Sequence, residues 1–393
     1  MHVHELAFNC FRNLKPQRIS FGARVCIIEG KNGQGKTSLL EAVYLLAHGK
    51  SFREQSPKNL LLWGTRQHRG ERIELVSGKF STDSGEKRLQ YFLSGERRQI
   101  SINERFVSTA ADFYGQVAAV EFTPDDLFLI KGAPAERRNY IDRVLSLVDS
   151  IYIEALVKYQ RALKQRNSLL RDLAGVSEGG LSATHIAELG SWELQLAEHA
   201  ALIVERRKNF LRELTPFLLQ YHELVAFHDI FDDAHGANEG LELSYKSSCA
   251  PDDQPVLVDD LVTRFEENRI RDVYAGLTTL GPHRDELEID FRTSTGKKSA
   301  RRAASQGQAR TAALSLKLAA AKYVEQKTGE APILLLDDVE SELDPSRKEA
   351  LYSLINERLQ NQVLITTTEA EELLKNSIPE AEFKLVSHGE ITA

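Results

Sequence analysis

Apolar positions along the chain follow two different spacings, and the spacing changes several times. Residues 3–10 and 24–29 carry short apolar runs that predict strands around a turn. Val25-Cys26-Ile27-Ile28 is uninterrupted, as expected of a strand buried on both faces, and a glycine-rich turn follows at Gly30. From Thr37 to His48 the spacing lengthens, and Leu39, Leu40, Val43 and Leu46 share one face of a predicted helix. Residues 73–108 alternate again, notably over 89–93 and 99–102, with Ser94-Gly95 as a turn between them. Residues 117–122 predict one more strand, punctuated by Pro124.

Beyond Gly132-Ala-Pro134 the texture becomes helical. Ile141, Leu145, Ile151, Leu156 and Leu163 carry the pattern from residue 135 to about 173. Three glycines within residues 175–180 then break it. A second amphipathic helix is predicted from His185 to about Leu214, with Pro216 interrupting or ending it, and a third over residues 259–275. Residues 276–291 return to strand, with Leu287-Glu-Ile-Asp-Phe alternating. Residues 333–336 and 363–367 predict short buried strands around a helix over 345–358. The expected organisation is α/β: residues 1–130 and 277–393 form one β-rich unit, and residues 131–276 are a compact, mostly helical insertion.

Composition narrows the class. The 393 residues are 42% hydrophobic and 27% charged, ordinary for a globular protein of two or three structural units. No apolar run approaches the roughly 20 residues needed to cross a bilayer, and no signal peptide is evident. Three scattered cysteines, Cys10, Cys26 and Cys249, offer neither a disulfide framework nor a zinc knuckle, which fits a cytoplasmic setting. A net charge of −7 excludes a globally basic nucleic-acid coat. The charge is uneven, however. Residues 221–260 are rich in acids, including Asp229, Asp232, Asp233, Asp252 and Asp253, whereas residues 291–324 contain none. That acid-free stretch holds Arg292, Lys297, Lys298, Arg301, Arg302, Arg310, Lys317 and Lys322, and is a candidate contact for phosphates. Its alternative is a solvated loop with distant counter-charges.

The strongest chemical signal is Gly30-Lys31-Asn32-Gly33-Gln34-Gly35-Lys36-Thr37, which fits G-x-x-x-x-G-K-[ST] and lies between a predicted strand and a predicted helix. Its glycines let backbone N–H groups wrap a phosphate, and the following helix, through Ser38, points its positive end at the anion. Lys36 can reach the terminal phosphates, and the Thr37 hydroxyl can ligate Mg²⁺. The absence of an Asn-Lys-x-Asp quartet favours ATP over GTP.

A second signal comes late. In Pro332-Ile-Leu-Leu-Leu-Asp337-Asp338, four apolar residues deliver two acids to the end of a predicted strand, where α/β sheets bind ligands. Asp337 suits the Mg²⁺ shell and Asp338 the attacking water. Upstream, Ser305-Gln306-Gly307-Gln308 precedes a strongly helical stretch over 309–324, a second hydroxyl-plus-dipole phosphate site. It also reads as a simple helix cap. One nucleotide does not need both phosphate sites from one molecule, so the economical arrangement is two chains related by a two-fold axis, each completing the other's site. Ser341-Glu-Leu-Asp344 follows at once.

The order of P-loop, helical insertion, Ser-Gln-Gly-Gln, Leu-Leu-Leu-Asp-Asp and Ser-Glu-Leu-Asp resembles the SMC-like ABC ATPases of DNA maintenance. Phe11-Arg12-Asn13, Phe122-Thr-Pro-Asp-Asp-Leu127, Lys131-Gly-Ala-Pro-Ala-Glu-Arg137-Arg138, Gln165-Arg-Asn-Ser-Leu-Leu170 and Gly281-Pro-His-Arg284-Asp285 make it most similar to the RecF family of bacterial recombination mediators. The resemblance covers nearly the whole chain. It implies an ABC ATPase head with mixed β-sheets and a compact helical arm. It also implies an ATP-driven dimer that binds duplex DNA near single-strand gaps and hydrolyses ATP slowly, stimulated by DNA. RecR, with RecO, would be the partner that helps place RecA, in a cytoplasmic, nucleoid-associated setting of the DNA-damage response.

Carried over residue by residue, the resemblance places Arg12 against the nucleotide, Asp337 and Asp338 in the hydrolytic site, and Ser305, Gly307 and Gln308 in a signature acting on a partner's nucleotide. Ser341 and Asp344 would couple the two sites. The Gln-loop would fall near residues 121–125 and the switch at Thr367 or Thr368. The DNA contacts fall to Lys297, Lys298, Arg301 and Arg302, with Arg137, Arg138, Lys164, Arg166 and Arg171 adding charge on the arm. A small-molecule P-loop kinase gives no reason for the signature or for the late acids. An SMC tether needs long heptad segments that are absent. A nuclease-coupled ATPase needs an extra acidic domain for which no length remains. Another ABC-type DNA-maintenance ATPase stays open as an alternative.

Overall fold

The computed structural model of the chain describes residues 1–54, 56–62, 64–65, 71–175, 180–226, 240–249, 255–293, 296–339, 343–370 and 372–392. Ser341, most of the glycine break at 175–180 and the acids Asp229, Asp232, Asp233, Asp252 and Asp253 lie outside the described residues.

Two six-stranded sheets and one small sheet organise the chain. The first is antiparallel, in the order Gln17–Ser20, His2–Phe8, Ile73–Thr82, Gly85–Ser94, Arg97–Ile102, Arg105–Phe106. The second runs Glu390–Thr392, Glu382–Ser387, Val25–Glu29, Val363–Thr367, Ile333–Asp337, Ala119–Phe122, and is parallel except for the terminal hairpin. Its central strands read as continuous apolar runs because they are covered on both faces. Val25, Ile27, Leu334, Leu336, Val363 and Ile365 enter one core, while Cys26, Ile28, Ile333, Leu335 and Leu364 enter the other. The latter core holds the helix Lys36–His48, sandwiched between the two large sheets. The strands Gln17–Ser20, Glu382–Ser387 and Glu390–Thr392 carry no pattern that stands out in the sequence.

On the other face lie the helices. Pro134–Val148 and Ser150–Asp172 divide the first predicted helical segment at Asp149, whose carboxylate caps the second of them through the Tyr152 N–H. The next helix corrects the sequence reading. It does not end near Pro216 but continues from Ala183–Ala226, 44 residues and roughly 66 Å at 1.5 Å per residue. Proline removes one backbone donor. Phe210, Leu214, Leu218 and Val225 on both sides of it are buried in the core shared with the helix Gln306–Thr328, and that burial keeps the chain helical. Thr215 Oγ1 also donates to the Leu211 carbonyl at 2.7 Å.

This long helix is tied to its neighbours along most of its length. Towards its start, Glu193 is fully buried and takes Arg166 at 2.8 Å and Arg269 at 2.5 Å, while Arg166 also reaches Asp272 at 2.6 Å. Midway, Arg207 bonds Asp142 at 2.7 Å and the Pro282 carbonyl at 2.7 Å. Towards its end, Phe210 packs edge-on against Tyr323 with ring centres 4.8 Å apart. The strand Leu241–Lys246 pairs antiparallel with Glu286–Thr293, which pairs in turn with Gly296–Ser299, forming the small sheet. No helix among the described residues is long and apolar enough to cross a membrane.

Two histidines, His48 buried and His283 half-buried, contribute to the acid response of this fold. Burial lowers His48 and His283 to about 4, and hydrogen bonds to the carbonyls of Ala119 and Thr278 only partly oppose it. Between pH 6.5 and 4 the unfolded chain binds protons that the native chain excludes, so stability falls as pH falls through that window. Each group contributes roughly 3 kcal/mol across it. In urea titrations from pH 6.5 to 4.5, His283→Gln is expected to lose stability less steeply than the wild type; an unchanged slope would remove His283 from this account.

Candidate functional site

The strand Val25–Glu29 ends at the rim of the parallel sheet, and the helix Lys36–His48 begins after six intervening residues. Gly33 and Gly35 hold φ of 79° and 120°, backbone that other residues rarely adopt. At Gly35 a Cβ would also stand 2.8 Å from Leu14 Cδ2. The concave surface is therefore backbone, and it ends on the unpaired N–H groups of the helix start. Lys36 Nζ donates to the carbonyls of Gly30 and, at 3.2 Å, Lys31. Burial lowers its pKa, and the charges of Asp338 and Asp337 oppose that.

Thr37 is the one residue of its helix that is not buried. Its hydroxyl donates to Asp337 Oδ1 at 2.9 Å, and Thr366 donates to the same oxygen at 2.8 Å. Burial raises the Asp337 pKa, while these two hydroxyls and the charge of Arg53 pull it down. Asp338 follows in the left-handed region, φ 50°, with its N–H on Thr366 Oγ1 at 3.0 Å. A non-glycine residue held there stores strain of the kind that collects at functional sites.

These groups share a cavity of about 450 Å³. Asn32, Gly33, Gly35, Lys36, Thr37, Ser38, Asp337, Asp338 and Arg12 line it, all of them singled out by sequence. Gly30, Lys31 and Gln34 do not. Gln34 turns instead to the terminal hairpin, where its amide oxygen accepts from His388 N at 2.5 Å and its carbonyl from Gly389 N at 3.1 Å. A Cβ at Gly389, where φ is 76°, would sit 2.1 Å from the Asn13 carbonyl. The hairpin thus buttresses the glycine loop from behind.

Asn13 and Arg53 also line the cavity, and sequence reasoning gave neither a role there. Asn13 ties the loop together, donating to the Gly33 carbonyl and accepting from Ser38 Oγ, each at 2.9 Å. Its signal was its place in Phe11-Arg12-Asn13. Arg53 carries no local signal.

Ser305, Gly307 and Gln308 lie outside this cavity. Ser305 caps the helix Gln306–Thr328 in a reciprocal box: Gln308 N donates to Ser305 Oγ at 3.1 Å, and Ser305 N to Gln308 Oε1 at 2.9 Å. A Cβ at Gly307 would meet Arg347 at 2.9 Å. Arg347 in turn pairs with Asp344 at 2.9 Å, and Asp344 caps the helix Pro345–Ser353. The structure therefore gathers the signature and Asp344 at one place and the phosphate loop at another. Thr367 Oγ1 donates to the Glu369 carbonyl at 3.0 Å and Thr368 is exposed; Thr366 is the threonine that touches Asp337.

The segment at residues 121–125 opens on a buried charge cluster. Glu121 takes Lys317 at 2.9 Å and Arg143 at 2.8 Å, and Lys317 also pairs with Asp126 at 2.9 Å. Burial raises the Glu121 pKa, but Lys317, Arg143 and His48 outweigh it and hold the carboxyl low.

The model of the RecF/RecN/SMC N-terminal domain matches residues 2–390. The chain belongs to this family. The DNA replication and repair protein RecF of Cyanothece sp. (strain PCC 7425 / ATCC 29141) is 37% identical over 371 residues, 94% of this chain and 92% of that relative. RecF of Geobacter sulfurreducens is 34% identical over 397 residues, 100% of both chains. The solved structure of the recombination mediator protein RecF with ATP superposes with a TM-score of 0.84 at 30% identity, covering 100% of this chain and 97% of that one. The Smc head from Pyrococcus furiosus reaches 0.53 at 16% identity, covering 100% and 95%, and shares the fold. The architecture is that of an SMC-like ABC ATPase head in the RecF family.

The acid-free stretch of this RecF-family chain separates into parts. Lys317 is buried in the cluster above, Arg292 and Lys297 both pair with Glu242 across the small sheet, and Lys322 pairs with Glu325 at 3.0 Å. Lys298, Arg301 and Arg302 are exposed and have no ion pair among the described residues. On the insertion, Arg166 is buried and Arg137 is held by Glu286 at 2.7 Å, so neither supplies surface charge; Lys164 and Arg171 are exposed.

Proposed function

We propose that the chain is an ATP-dependent DNA-binding ATPase of replication and recombinational repair. The observation that carries this reading is the separation of two phosphate sites. The glycine loop, Thr37 and Asp337 share one cavity, while Ser305 and Gly307 lie outside it. In this reading two chains pair head to tail, and the signature of each closes on ATP held by the other. Residues 1–130 and 277–393 form the head, and 131–276 the arm.

The chemistry follows from the side chains. The loop N–H groups and the helix start bind the phosphates, and Lys36 leaves its carbonyl partners for the β- and γ-phosphates. Thr37 and Asp337 would hold Mg²⁺; an Asp and a hydroxyl already in contact are a suitable pair for an ion that keeps most of its water. When bound, it neutralises charge on the phosphate oxygens. Asp338 lies on the cavity wall, where it orients the attacking water or accepts its proton. Asp344 and Ser341 belong to the segment that couples the paired sites. The relatives, named for DNA replication and repair, support DNA as the partner, and the solved RecF structure with ATP is described within the RecFOR pathway. Weak, DNA-stimulated hydrolysis, preference for gapped duplex, cooperation with RecR and RecO in loading RecA, and a cytoplasmic site at the nucleoid complete the proposal.

Calorimetric titration and phosphate release together test it. Lys36→Ala is expected to lose measurable ATP binding. Ser305→Ala is expected to keep near-normal ATP affinity, lose only about 1 kcal/mol of stability with its helix cap, and turn over ATP at least about tenfold more slowly. Full ATP binding in Lys36→Ala, or full turnover in Ser305→Ala, would defeat the reading.

In this reading DNA contacts on this surface go to phosphates, which carry little sequence preference. Replacing Lys298, Arg301 and Arg302 together by alanine is expected to flatten the slope of log affinity against log salt by up to about 0.9 per lost contact. A wild-type slope in the triple variant would place the DNA elsewhere.

A further inference from the structure

Glu41 belongs to none of the motifs above. It lies in the second turn of the helix Lys36–His48 with its side chain fully buried. A buried carboxylate without partners is strongly unfavourable, so its partners show what it is for. Arg12 donates through Nε to Oε2 at 2.9 Å and through a terminal nitrogen to Oε1 at 2.6 Å. This two-point fork fixes the plane of the guanidinium as well as its position. The third nitrogen of Arg12 donates to the Asn59 carbonyl at 2.7 Å. Arg12 itself is strained, with φ 52°. Ser51 also donates to Glu41, and the N–H groups of Arg53 and Glu54 donate to Ser51 Oγ at 2.9 Å each. The Arg53 guanidinium stands 4.0 Å from the same carboxylate.

One buried anion therefore organises two segments, residues 11–13 and 51–54, that both reach the cavity of the phosphate loop. Each brings an arginine to the wall of the 450 Å³ cavity. We propose that Glu41 is a positioning residue, which holds Arg12 by a two-point fork and Arg53 through Ser51 so that both guanidinium groups meet the anionic part of bound ATP. This rests on the ATP reading above. Glu41 touches no nucleotide itself and acts only through the two arginines.

The test is ATP affinity of the full chain by calorimetry, read beside the thermal midpoint. Glu41→Gln keeps the shape but removes the charge that locks the fork; it is expected to weaken ATP by about tenfold. Ser51→Ala, which releases only the Arg53 segment, is expected to weaken it less. In a double-mutant cycle with Arg12→Ala, most of the Glu41→Gln loss is expected to vanish. A lower thermal midpoint with wild-type ATP affinity would make Glu41 a packing residue and overturn the proposal, as would strictly additive losses. Should Glu41→Gln not fold, Arg12→Lys carries the test: it keeps the charge but cannot form the fork, and wild-type affinity there would overturn the proposal. A wild-type chain that bound no ATP would overturn both this inference and the function it rests on, whereas ATP binding that survives Glu41→Gln undiminished overturns the inference alone.

Discussion

Twelve of the thirteen residues of the helix Lys36–His48 are buried, and much of the architecture follows from that burial. An ordinary amphipathic helix covers one face and leaves the other to water. This one needs cover all round, and the antiparallel and parallel sheets supply it from two sides. Thr37 is the exception, and it points at Asp337, 300 positions later in the chain. The phosphate loop is thus the exposed end of an otherwise enclosed element. Its shape depends on both sheets and on the terminal hairpin behind it.

The cluster around Lys317 links this element to the rest. Glu121 lies on the edge strand of the parallel sheet, Lys317 on the signature helix and Arg143 on the first helix of the insertion. Lys317 is the shared member: its departure would leave Glu121 with Arg143 alone and Asp126 without its ion-pair partner, at a cost of about 3–5 kcal/mol. The 44-residue helix also packs against the helix Gln306–Thr328. The helix Gln306–Thr328 is therefore tied both to the sheet edge and to the helices Pro134–Val148 and Ala183–Ala226.

The elements that could be read from sequence were those whose signal is local. The phosphate loop lies between a strand and a helix, Leu334–Asp338 is an apolar run ended by acids, and Ser305 begins a capping box. Contacts between distant residues were hidden. Lys317 reads as a surface cation in an acid-free stretch, yet its partners lie 196 and 191 positions away. Lys297 finds its counter-charge 55 positions upstream. Glu41 reads as one more polar residue in a helix, because its partner Arg12 is brought to it by a sheet. Pro216 misleads in the other direction: a local breaker is overruled by the core on both sides of it. Thr366 escapes notice because only strand pairing sets it beside Asp337, in register across the sheet.

The central claim of the proposed function is that two chains share each ATP. Light scattering on the wild-type chain, with and without Mg-ATP, tests it most directly. A mass that rises from about one chain to two on adding Mg-ATP, and returns after the nucleotide is removed, is the outcome the paired-head account requires. A mass indifferent to Mg-ATP, in a chain shown to bind ATP, would contradict it.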